Sequence, residues 1–306
     1  MLLLYIEIFY NQPKFCESAL WNPNATTLTN ASTVGSYPSG IFIDIYNTVY
    51  VAVYWYNRVL VWPEGSFIPT RNITGNLNGP FSVFVTHNGD VYVDNGARGR
   101  IRKWSLNATR SITVMYVADV CAGLFIDNNN TLYCSQWTNN VIVKGSLDKD
   151  ANASMIAAGN GTAGSASNLL SSPIGIFVDI NFNLYVADAG NNRIQLFQFG
   201  QLNAITVAGD GASINFALDY PTGVVLDADN YLFIVDQNNN RIIRWGPNGV
   251  RCLFGCSHQS GLGSDELRLP WGLAFDSYGN VFVTDWRNGR IQKFSFINKS
   301  CGKLNH

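Results

Sequence analysis

Histidine is nearly missing from this chain. Only His87, His258 and His306 occur, too few for a metal centre built on several imidazoles. Glutamate is also thin, with only Glu7, Glu17, Glu64 and Glu266. Charged residues make up 13% and the formal net charge is −1. Nucleic-acid binders are usually clearly basic over at least one face, so this balance argues against that class and leaves room only for a local basic patch. No run reaches the roughly 18 apolar residues that a membrane-spanning helix needs. The six cysteines lack CxxC spacing, which argues against zinc. No phosphate-loop signature and no G-x-S-x-G elbow appear. The opening MLLLYIEIFY is apolar but has no basic start and contains Glu7. It reads as a weak or trimmed signal sequence, or as an edge strand or irregular leader.

What is present is repetition. Pro173 to Phe197, PIGIFVDINFNLYVADAGNNRIQLF, holds three apolar runs, Ile176–Val178, Leu184–Val186 and Ile194–Phe197, separated by polar turns. That alternation predicts three antiparallel strands joined by tight hairpins. The same frame starts six times, at Pro38, Pro80, Cys121, Pro173, Pro221 and Pro270, with no insertion inside any copy. One such unit cannot bury its apolar faces alone, and a strand-bearing repeat of about 40–50 residues predicts a propeller. Candidate fourth strands precede each new frame: Ser66–Thr74, Ser111–Val117, Ser154–Ala158, Ala204–Ala208 and Val250–Phe254. The sixth frame lacks one, while residues 25–34 form one strand too many at the N-terminus. The expected architecture is an all-β, six-bladed β-propeller of four-stranded antiparallel blades, closed by the N-terminal strand pairing with the last blade. Residues 1–24 are then a leader, 25–297 the propeller and 298–306 a tail.

The cysteines fit that closure. Cys16 and Cys301 are expected to clasp the ring, Cys252 and Cys256 to pair locally, and Cys134 to be a buried free thiol rather than a partner of Cys121. Eight Asn-x-Ser/Thr triplets begin at Asn24, Asn30, Asn72, Asn107, Asn129, Asn152, Asn160 and Asn298. With the disulfides they point to a secreted glycoprotein.

PIGIFVDINFNLYVADAGNNRIQLF, PTGVVLDADNYLFIVDQNNNRIIRW and PWGLAFDSYGNVFVTDWRNGRIQKF resemble NHL repeats. The shared features are Pro-x-Gly, a strand to Asp, a second strand to Asp, and a polar turn to Arg-Ile. The resemblance covers nearly all of residues 25–297. It is strong in the last three copies and weaker in the first three, where Val53, Asn95 and Gln136 replace the second Asp. It implies a six-bladed propeller and no single function. Peptidyl-hydroxyglycine amidating lyases share the scaffold, but they would call for several histidine ligands. Lactonase-like propellers would call for acidic groups near the axis, and no Glu stands at a strand start.

The repeated polar residues read as structural. Asp188 with Arg193, Asp236 with Arg241 and Asp285 with Arg290 flank second-to-third turns, whereas Asp179, Asp227 and Asp276 end first strands and fix the next turn. Strand direction places the second-to-third turns and the loops entering each frame on one face, here face one. His87 and His258 then fall on opposite faces. Face one carries an uneven aromatic load: Tyr54, Trp55, Tyr56, Trp271, Trp286 and Arg287, with Phe81 and Trp137 on other blades. Some of these rings pack between blades in the plainer reading; the others form a ligand site. No catalytic constellation, metal site or cofactor is expected. The leading expectation is a non-catalytic scaffold, outside the cell or in the secretory pathway, that binds a protein, peptide or glycan. It would act as a monomer or as a module of a larger protein. The rivals are a cytoplasmic adaptor resembling the substrate- or RNA-binding end of tripartite-motif ubiquitin ligases, and a lyase or hydrolase on the same scaffold.

Overall fold

The computed structural model describes residues 10–148, 154–214 and 216–297. Six four-stranded antiparallel sheets surround one axis. Blade one begins with Pro38–Ile43, blade two with Val83–Val85, blade three with Cys121–Ile126, blade four with Pro173–Val178, blade five with Pro221–Leu226 and blade six with Leu273–Phe275. Each blade is sandwiched between two others, so its second strand has no solvent face. Val49–Val53, Leu184–Asp188, Leu232–Asp236 and Val281–Asp285 are buried at every position, which is why these runs are nearly continuous in apolar residues.

The ring closes as the repeat count requires. The outer strand of blade six is Thr26–Thr29, paired antiparallel with Arg290–Phe294 at the register Thr26 to Lys293. That strand is shorter than residues 25–34. Asn30 caps a helical turn, Ala31–Val34, through Oδ1 and the Ser32 N–H, because its side chain satisfies a free backbone donor there. Each second-to-third turn ends in a left-handed residue, at Asn57, Gly99, Asn140, Asn192, Asn240 and Gly289, the residue types that tolerate positive φ. Four of these asparagines also reach the next blade. Their Oδ1 atoms accept the N–H of Gly79, Ser172, Tyr220 and Leu269 at 2.7–3.0 Å.

Two cysteine pairs are closed among the described residues. Cys252–Cys256 is as expected. Cys134 is not free but bonded to Cys121. A register shift between Cys121 and Gly123 leaves the two α-carbons 5.1 Å apart on adjacent strands, within bonding range. Cys301, the expected partner of Cys16, lies outside the described residues. Replacing both Cys121 and Cys134 by serine should cost about 2–3 kcal/mol by the loop-entropy model, read as a lower urea midpoint. An unchanged midpoint would mean the strands hold this region without the bond.

The described part of the leader is irregular in backbone but fixed in place. Tyr10 packs edge-on against Phe125 and Phe177 and donates its hydroxyl to the Val178 carbonyl. The Asn11 side-chain amide donates to the carbonyls of Asp44 and Phe275, and that of Gln12 to Asp227. These carbonyls belong to blades one, six and five, so the segment crosses the axis on face two. Phe15, 1% exposed, then wedges among Trp21, Phe233, Phe275 and Phe296.

Candidate functional site

Both sets of repeated acids are engaged in holding turns. On face two, Asp44, Asp127, Asp179, Asp227 and Asp276 each accept the backbone N–H groups two and four residues on, at 2.9–3.0 Å. On face one, Asp188, Asp236 and Asp285 pair with the Nε of Arg193, Arg241 and Arg290 at 2.7, 2.6 and 2.6 Å. Each arginine then donates to carbonyls of the loop entering its own blade. Arg193 reaches Ser165, Ala166 and Leu169, and Arg290 reaches Leu262, Gly263 and Glu266. These contacts commit most of their donors and acceptors to the protein's own turns and loops.

Blades one and two depart from this frame. Val53 and Asn95 stand where the acid would be, yet Arg58 and Arg100 remain. Asp94 is fully buried beside Asn95, and its oxygens accept the N–H of Phe81 and Cys121, both at 3.2 Å. Burial pushes its carboxyl up to about 7, against the pull of those backbone donors.

The face-one rings form a closed circuit. Trp55 lies 6.1 Å from Tyr37, Tyr37 4.5 Å from Trp286, and Trp286 is stacked on Trp271 at 5.7 Å. Trp271 lies 5.8 Å from Phe81, Phe81 4.7 Å from Tyr54, and Tyr54 5.1 Å from Trp55. Trp137 touches Phe81 and Trp271 from blade three, opposite blade six. Arg287 donates to the Tyr37 hydroxyl, its guanidinium 5.3 Å from that ring centre. Of the residues singled out from sequence, Tyr54, Trp55, Trp271, Trp286 and Arg287 therefore come together. Tyr56 does not join the circuit. Its ring lies under Arg58 at 4.9 Å and against Gly35. Exposure differs sharply around the circuit: Trp55 is 59% exposed and Trp271 only 6%, so the first is presented to solvent and the second is packing.

Sequence reading missed Tyr37, the ring that links blades one and six. The available signal was position, since Tyr37 directly precedes a frame proline, as Tyr220 does. Both adopt positive φ there, which turns the chain into the new blade.

The axis between the faces holds a partly open cavity of about 140 Å³. Tyr10 and Asn11 line it toward face two and Trp271 toward face one, with Phe42, Phe84, Phe125 and Phe177 on the walls. Among the described residues, no three His, Cys, Asp or Glu side chains are grouped to hold a metal ion, and no helix is long and apolar enough to cross a membrane. His258 lies beside Arg241 at 3.3 Å on face one, and His87 is in a face-two turn.

Residues 267–294 match the family model for the NHL repeat. No curated protein matches the sequence. Solved structures share the fold at low identity. A protein of unknown function from Bacteroides thetaiotaomicron is 14% identical, with a TM-score of 0.74 over 90% of this chain and 76% of that one. An auxiliary nutrient binding protein from the same organism is 13% identical, with a TM-score of 0.67 over 95% and 76%. Virginiamycin B lyase from Staphylococcus aureus, as the selenomethionine form, is 13% identical, with a TM-score of 0.63 over 89% and 99%. At these identities the likeness speaks for the fold alone, and the fold carries both binding proteins and enzymes.

Proposed function

We propose that this chain, a six-bladed β-propeller carrying an NHL repeat at residues 267–294, is a non-catalytic binding module whose ligand docks on face one. The observation that supports this reading is the aromatic circuit across blades six, one and two, with Trp55 exposed and Trp271 and Phe81 beneath. Flat rings held by their neighbours present contact area at little entropic cost, and each indole keeps an N–H for orientation. Tyr10 and Asn11 line the axis toward face two and Trp271 toward face one, and the proposed ligand lies on the rings around the face-one rim. The two disulfides favour an oxidising compartment. Six of the eight sequon asparagines, Asn24, Asn30, Asn72, Asn107, Asn129 and Asn160, lie among the described residues and are all exposed, which suits a glycoprotein outside the cell.

An array of peptides and glycans tests the reading with purified protein. Trp55→Ala should weaken capture by roughly tenfold or more, as truncating an interface anchor does, with an almost unchanged melting temperature. Trp286→Ala should weaken capture similarly and cost about 1 kcal/mol, because its ring is stacked on Trp271 and tilted against Tyr37. Equal capture by the wild type and both variants would remove face one as the site.

A further inference from the structure

The arginines left over on face one say which ligand it takes. In blades four, five and six the frame arginine is neutralised by its aspartate. In blades one and two that aspartate is gone, and Arg58 and Arg100 bond only to carbonyls, those of Thr33 and Arg98. Arg98 reaches only the Asn76 carbonyl, and Arg287 the Tyr37 hydroxyl. Arg268, exposed, offers its own carbonyl to the Arg287 N–H. None of these five guanidiniums forms an ion pair among the described residues. Arg287 touches the circuit at Tyr37 and the other four stand in the turns and entering loops of blades six, one and two; the acids on that half are the buried Asp94, Asp285 paired with Arg290, and Asp265 and Glu266. The other half carries Asp119, Asp210 and Asp219 with no unpaired arginine.

We infer that the basic, aromatic half of face one binds an anionic polysaccharide bearing carboxylate or sulfate groups; this rests on the binding-module reading above. Sugar rings present C–H faces that lie flat on exposed indole and phenol rings such as Trp55 and Tyr37. Guanidiniums match carboxylate and sulfate geometry with paired N–H donors, which lysine does not. The same chemistry of rings and arginines would suit single-stranded RNA. The disulfides Cys121–Cys134 and Cys252–Cys256 favour an oxidising compartment, where anionic glycans rather than RNA are the abundant polyanions. An acidic peptide would satisfy the arginines but make little use of a flat ring platform.

Binding is measured by calorimetry and by tryptophan fluorescence with five probes: heparin for sulfate, polygalacturonate for carboxylate, neutral dextran, oligouridylate and a poly-glutamate peptide. Heparin or polygalacturonate should bind, more weakly as salt is raised, and dextran should not. Whichever of the two binds better identifies the anionic group. Arg58→Gln and Arg287→Gln should each weaken that binding about tenfold, and Trp55→Ala likewise. Arg110→Gln, an exposed arginine in a face-two turn, should change it less than about twofold. A poly-glutamate peptide or oligouridylate binding more tightly than both glycans overturns the inference. So does failure of both glycans to bind, or binding that Arg110→Gln weakens as much as the face-one variants do. If array ligands are captured through Trp55 while the arginine variants bind them as well as the wild type, the anionic class is wrong and the binding module stands. If Trp55→Ala alters no interaction at all, the module reading itself falls.

Discussion

Asp285→Ala should lower the unfolding free energy by about 3–5 kcal/mol, the usual cost of stranding one partner of a buried ion pair. Asp285 is 0% exposed and Arg290 8%. The carboxylate is shared by three donors: Arg290 Nε at 2.6 Å, Asn288 Nδ2 at 2.9 Å and the Arg268 N–H at 2.7 Å. Removing it leaves a guanidinium facing only carbonyls and frees the loop that enters the ring-closing blade. Asp285→Asn should cost less, and blade two shows why. Asn95, at the matching position, still accepts the Asn78 N–H at 2.8 Å through its Oδ1, so the loop keeps that anchor. Its Nδ2 is buried without a partner, and Arg100 has turned away to the Arg98 carbonyl. The alanine-minus-asparagine difference in urea midpoint therefore reads the loop anchor, and the asparagine loss alone reads the charge pair. Both variants falling within about 1 kcal/mol of the wild type would show that the pair balances its own desolvation.

The frame was legible because the physics repeats. A strand buried on both sides demands an apolar run, its turn demands Asn or Gly at positive φ, and its loop demands the Asp–Arg pair. Six copies at fixed offsets make the strand and turn demands visible six times and the Asp–Arg pair three times, and the missing sixth outer strand leaves residues 25–34 as the only candidate to supply it. What occurs once was harder to read. Tyr10, Asn11 and Gln12 lie outside every copy, and their hydrogen bonds go to backbone carbonyls, which leave no residue-type signal. The Cys121–Cys134 bond depends on a local register shift that spacing alone does not reveal. Tyr37 was missed because it stands just before the first frame proline, outside the turns that carry the neighbouring rings, and its contacts with Trp55 and Trp286 are specific to the folded ring. The loss of aspartate at Val53 and Asn95 was visible as weak repeats. Its consequence, unpaired arginines beside exposed rings, required the placement of blades six, one and two on one side.

Arg244→Met should be the other costly change, and its cost should depend on pH. The Arg244 guanidinium is buried, with Nη2 3.1 Å from Asp227 Oδ2 and its centre 3.8 Å from the Tyr231 ring centre. It also donates to the leader carbonyls of Phe15, Cys16 and Glu17 at 3.4, 3.0 and 3.5 Å. It is thus the polar clamp between blade five and the segment that closes face two. Methionine keeps the stem volume but leaves Asp227 buried and unpaired, a loss of about 3–5 kcal/mol at neutral pH. Burial pushes the Asp227 carboxyl up to about 6 in the folded chain, while Arg244 pulls it down. Unfolded, it titrates near 3.9. Between those values the native state holds the extra proton, so this group's contribution to stability falls as pH rises from about 4 to 6 and is flat above. Without the guanidinium the folded value climbs further, and the fall continues past pH 6 at up to about 1.4 kcal/mol per unit. The gap between wild type and variant should be narrowest below pH 4 and widest above pH 7. Limited proteolysis at neutral pH should cut residues 10–21 in the variant and spare them in the wild type. A gap that stays constant from pH 4 to 8, with the leader still protected, would assign Arg244 to packing alone.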